Sequence, residues 1–139
     1  MATPQTKLAA QRAFAFLEQR GFILQPANDL SRFESDLGWH LEYRSPTVTV
    51  RILFDMHQFE VGFSAYSTRS SYQFIDRELY GRRSGFHGDM FGPDKIVSAI
   101  TQIAADVEAN YALALDGNPA FWDKVSKLQQ APVQKVRLP

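Results

Sequence analysis

The amino-acid sequence predicts an α+β fold: an antiparallel β-meander of three to four strands packed against an N-terminal helix and two C-terminal helices. Two observations carry this prediction. Residues 37–65 alternate apolar and polar side chains in three successive runs, whereas residues 4–20 and 93–128 space their apolar side chains three and four apart. The three runs are joined by short connections, which suit antiparallel neighbours and leave no room for crossover helices.

The first helix is expected between Thr3-Pro4, a cap with proline in the first turn, and a stop at Gly21. Leu8, Ala10, Ala13, Phe14 and Leu17 form its apolar stripe, widened by Phe16. Phe22 to Gln25 reads as a short strand that Pro26 ends. Leu37, Trp39, Leu41 and Tyr43 then alternate with Gly38, His40, Glu42 and Arg44, the pattern of a half-buried strand. After Ser45-Pro46, Val48, Val50, Ile52 and Phe54 point inward, with Thr49, Arg51 and Asp55 outward and Leu53 an apolar exception. The chain turns around Met56 to Gln58, and Phe59, Val61, Phe63 and Ala65 repeat the pattern.

From Ser67 to Pro93 regularity is lost, and the expectation is loops around one short helix, Tyr72 to Tyr80. Ile96, Val97, Ile100, Ile103, Ala104, Val107 and Tyr111 share one face of a long helix that runs until Asp116-Gly117. Asn118-Pro119 restarts the chain as cap and first turn, and Phe121, Trp122, Val125 and Leu128 form the buried side of a last helix. One domain over residues 1–131 follows, with residues 132–139 as a tail.

Composition narrows the class of function. Fifteen basic and fifteen acidic residues cancel, so the excess positive charge of a general nucleic-acid binder is missing. The chain has no Cys, which excludes disulfides, thiolate catalysis and the usual structural zinc sites and fits a reducing, cytoplasmic setting. Charged residues interrupt the first twenty positions and no eighteen apolar residues run together, so neither a signal peptide nor a membrane span is expected.

No stretch assembles a catalytic set. His40, His57 and His87 lack a second ligand at helical spacing, and His57 with Asp55 or His87 with Asp89 offers two ligands where a zinc site needs three or four. No metal or cofactor is therefore expected. No Ser sits in a GxSxG elbow and no glycine run matches a phosphate-binding loop. Asp29, Glu34 and Asp36 could act as acid and base if folded together, but such a loop is usually solvated. Arg69, Arg77, Arg82 and Arg83 could cradle a phosphate, although Asp76, Glu78 and Asp89 lie close enough to neutralise them. Aromatic rings interleaved with these arginines match the composition of a protein-binding hot spot. Tyr66, Arg69, Tyr72, Tyr80, Arg82, Arg83 and Phe86 are the candidate binding residues, with the acidic loop Asp29 to Asp36 as a possible aid.

The chain resembles small bacterial α+β proteins in which a helix ending "FLEQRGF" leads to a sheet carrying "LEYRSPTVTVRILFD" and "FEVGFS", then to a helix ending "ALALDGNPAFWDKV". Proteins of this look include immunity-type partners of toxins, and the resemblance, over roughly residues 8–128, implies fold and transfers no functional residue. The expectation is a cytoplasmic, non-enzymatic bacterial domain whose partner is another protein, such as a toxin. The alternatives are a small-ligand or phosphoester-processing enzyme using the Arg-rich loop with His87 and Asp89, and a self-associating homodimer that pairs through a sheet edge or the last helix.

Overall fold

The computed structural model describes residues 4–26, 38–55, 58–81 and 93–130. The chain runs α1 (Gln5–Ala13), α2 (Phe16–Gln19), β1 (Ile23–Leu24), β2 (Gly38–Arg44), β3 (Thr49–Asp55), β4 (Gln58–Ala65), β5 (Thr68–Ser71), α3 (Tyr72–Glu78), α4 (Pro93–Asn110), α5 (Ala112–Leu115) and α6 (Pro119–Gln129). The five strands lie in sequence order, β1-β2-β3-β4-β5, and every pairing is antiparallel. This is the α+β meander expected, with five strands rather than three to four: β1 lies within the short strand expected at Phe22 to Gln25, and β5 is the addition. The turn at Met56-His57, the Thr3 cap, the acidic loop Asp29 to Asp36 and the tail after residue 131 lie outside the described residues.

One face of the sheet is the floor of the core. Trp39, Leu41 and Tyr43 of β2, Val50, Ile52 and Phe54 of β3, and Phe59, Val61, Phe63 and Ala65 of β4 are all buried beneath the helices. Period two makes this possible, since each strand sends alternate side chains to one side. Helix α1 is fastened to it where the Trp39 indole Nε1 donates to the buried Thr6 hydroxyl at 2.8 Å. From above, α4 contributes Ile96, Ala99, Ile100, Ile103, Ala104 and Val107, and α6 contributes Phe121, Trp122 and Val125.

The N-terminal helix differs from its expected form. It breaks at Phe14-Ala15 into α1 and α2, and Gly21, with φ +93°, ends the second piece. Phe14 and Phe16 are both buried, their rings 6.0 Å apart. Two residues apart on a continuous helix they would point to different sides, so the break is what lets both rings enter the core. Thr6 is buried in place of Leu8, which lies at the surface.

The long C-terminal helix also ends earlier than Asp116. At Tyr111 the chain leaves helical geometry, although the hydrogen bonds Tyr111 N to Val107 O and Leu115 N to Tyr111 O carry the ladder across the kink. Three rings close on Tyr111 there: Phe63 and Tyr72 stacked at 5.5 and 5.3 Å, and Tyr80 edge-on at 5.3 Å. Helix α6 begins as expected, with the Asn118 side chain accepting from Phe121 N at 2.9 Å and proline next to the cap.

Candidate functional site

Among the described residues, no helix layers the second face of the sheet. Cross-strand register arranges its outward side chains in rows. Arg44, Thr49, Ser64 and Arg69 form the row nearest the β2–β3 and β4–β5 turns; Glu42, Arg51, Gly62 and Ser71 form the next; His40, Leu53 and Glu60 the third; Gly38, Asp55 and Gln58 the last. Thr49, Ser64 and Arg69 of the first row, with the second and third rows, line a shallow hollow of about 590 Å³ that spans β2 to β5.

Gly62 lies in the floor of that hollow. A Cβ built on it would meet nothing closer than the Ser70 carbonyl oxygen at 3.9 Å, and its φ is outside the left-handed region. Neither conformation nor close packing therefore requires glycine here. The effect of its missing side chain is to deepen the sheet surface between Arg51 and Ser71. Glycine inside a strand weakens the strand, and it commonly marks a place where another chain or a ligand comes close.

Charge on this face is ordered along the strands. The Glu42 carboxylate accepts from Arg51 Nε at 3.0 Å and meets the Arg44 guanidinium at 2.5 Å, and its side chain is only 18% exposed. Two guanidinium groups thus share one acid. Arg69 is exposed, and among the described residues no carboxylate pairs with it, while its main-chain oxygen accepts from the Gln129 side chain of α6. The turn end is net basic and the Asp55–Glu60 end net acidic. Leu53, 42% exposed on the central strand, is the apolar side chain between them.

The residues singled out in the sequence fall in several places. Arg69 lies on the open face. Tyr66 is 55% exposed in the β4–β5 turn and donates its hydroxyl to Gly117 O at 2.7 Å. Tyr72 is buried, stacked on Tyr111, with its hydroxyl donating to Asp106 at 2.6 Å. Tyr80 is half-buried on the same ring and donates to Asn110 O at 3.1 Å. These two tyrosines hold α3 against α4, which is work inside the fold. Arg82, Arg83, Phe86, His87 and Asp89 lie outside the described residues. Of the neighbouring charges, Arg77 pairs with Glu78 at 2.7 Å, and Asp76 is buried.

Glu42, Arg44, Thr49, Arg51, Gly62 and Ser64 were readable as outward residues of strands and as nothing more. The signal available was Gly62, a glycine in an otherwise strong alternating run. Among the described residues no three metal-ligating side chains come together, and no helix is long and apolar enough to cross a membrane. Comparison with known proteins finds no matching family model, no matching curated protein and no matching solved structure.

Proposed function

We propose that this chain is a non-enzymatic protein-binding domain of a bacterium, an inhibitor of the immunity or antitoxin kind, and that it docks its partner on the open face of the sheet. The observation that carries the reading is the hollow over Gly62: the strand gives up a stabilising side chain at a position where the fold has no need of glycine. A convex element of another protein fills such a surface, with Leu53 as an apolar contact and the flanking charges fixing its orientation. Work in the cytoplasm belongs to the same reading, supported by the absence of Cys from all 139 residues.

Gly62→Val separates function from folding. Valine suits a strand and removes the entropic cost of glycine, so the variant is expected to gain about 0.5–1 kcal/mol. Its melting temperature should rise by about 2–4 °C. Tagged wild type and variant are used to capture protein from native lysate at about 0.15 and 0.5 M salt, so that screening separates specific from loose electrostatic binding. A stoichiometric protein retained by the wild type at both salts and lost by the more stable variant is the expected result. Equal retention by Gly62→Val would remove the open face as the docking surface.

A further inference from the structure

The rows of the open face point to the chemistry of what docks there. Arg44 and Arg51 share the one Glu42 carboxylate, at 2.5 and 3.0 Å, so their forks are already turned onto an internal acid although one positive charge is left over. Arg69 is exposed, has no carboxylate partner among the described residues, and lies directly across from Ser64, which in turn lies across from Thr49. Adjacent strands are about 4.8 Å apart, so the Arg69 fork and the two hydroxyls come within reach of one oxyanion lying over the sheet.

We infer that this row receives one acidic side chain, a glutamate or aspartate, of the docking protein, held by Arg69 with the hydroxyls of Thr49 and Ser64 at the edge of the hollow over Gly62. The inference rests on the docking role proposed for the open face and adds the partner's chemistry to it. One uncommitted guanidinium matches one carboxylate. A phosphate dianion would bring its second charge toward the Glu42 carboxylate in the next row, where Arg44 and Arg51 are already oriented onto that acid, so inorganic phosphate is the discriminating probe. A uniformly anionic polymer is disfavoured by the other end of the same face, where Asp55 and Glu60 stand exposed in the last two rows. A partner contact with an acid over Arg69 and a neutral or basic residue over Asp55 and Glu60 satisfies both ends at once.

The test uses the whole chain and a probe of defined chemistry. An acetylated, amidated tripeptide with glutamate between two alanines is titrated at low salt and followed by amide nitrogen–proton spectra. Its glutamine counterpart and inorganic phosphate serve as comparison probes. The glutamate peptide should shift the amides of Thr49, Gly62, Ser64 and Arg69, the glutamine peptide at least fivefold less, and Arg69→Gln should weaken the glutamate peptide about tenfold. Arg69 is an exposed side chain, so the variant's spectrum should otherwise overlay that of the wild type. Equal shifts from the glutamine peptide, unchanged binding to Arg69→Gln, or tighter binding of phosphate than of the peptide would each overturn the inference. Capture from lysate tells the two readings apart. If Gly62→Val loses the partner and Arg69→Gln keeps it at full strength, the docking face stands and the acidic contact falls. If both variants keep it, the docking face falls as well.

Discussion

Tyr43 is fully buried, and its hydroxyl has no hydrogen-bond partner among the described residues. Burial first, and the nearby Glu18 charge second, push its phenol from 10.0 up to about 12. The folded pKa thus exceeds the unfolded one: the unfolded chain gives up its proton first as pH rises. Stability is unaffected below pH 10 and is lost between about 10 and 12, by roughly 2–3 kcal/mol from this one group. Tyr43→Phe removes an unsatisfied polar atom while keeping the ring. It should match or exceed wild-type stability at pH 7 and lose less in the alkaline range. Urea denaturation at a series of pH values from 7 to 12 checks both; a variant clearly weaker at pH 7 would mean that the hydroxyl has a partner after all. Gly117 is a residue of the opposite kind. With φ +67° and an imagined Cβ only 2.6 Å from Thr47 Oγ1, it is required both by backbone conformation and by close approach.

At the scale of elements, the two-residue β4–β5 turn departs furthest from local preference. Tyr66 and Ser67 have φ of 52° and 68°, both left-handed, in a position where hairpins prefer Asn-Gly. Tyr66 is retained there by its bond to Gly117 O, whereas among the described residues no such bond holds the Ser67 side chain. Ser67→Gly should therefore raise stability by about 0.5–1 kcal/mol, seen as a higher urea midpoint with an unchanged slope. A lower midpoint would show that Ser67 contributes through its side chain. The same turn explains which elements were legible in advance. Strands β2, β3 and β4 could be read because each buries three or more alternating apolar residues, and α6 because Asn118-Pro119 marks its start. Strand β5 could not, since Thr68–Ser71 buries only Ser70 and its turn carries no glycine or asparagine. The open face was hidden for another reason. Alternation says which residues point away from the core, but whether a helix later covers them depends on how the whole chain packs.

In the whole molecule, the sheet grades from a protected centre to short edges. Strand β3 lies in the middle of the order, with Val50 and Ile52 fully buried, while the edge strand β1 has two residues. Amide exchange should be slowest over Val50 to Phe54, on the time scale of global unfolding, and fastest at Ile23 and Leu24. Uniform exchange across the sheet would contradict that grading. The far edge is closed differently: the Gln129 side chain of α6 bonds the β5 main chain at Arg69, which leaves that edge less open to another strand. One junction near this edge reaches further. The β2–β3 turn packs on Gly117 through Thr47 and Val48, and the β4–β5 turn bonds its carbonyl through Tyr66, so two hairpin ends are clasped at the joint between α5 and α6. Arg44 and Thr49 leave one of those hairpin ends, and Ser64 and Arg69 flank the other. The backbone beneath the basic row is therefore fixed from both ends by the fold itself, and on the docking proposed above a partner would lose little free energy to ordering this chain.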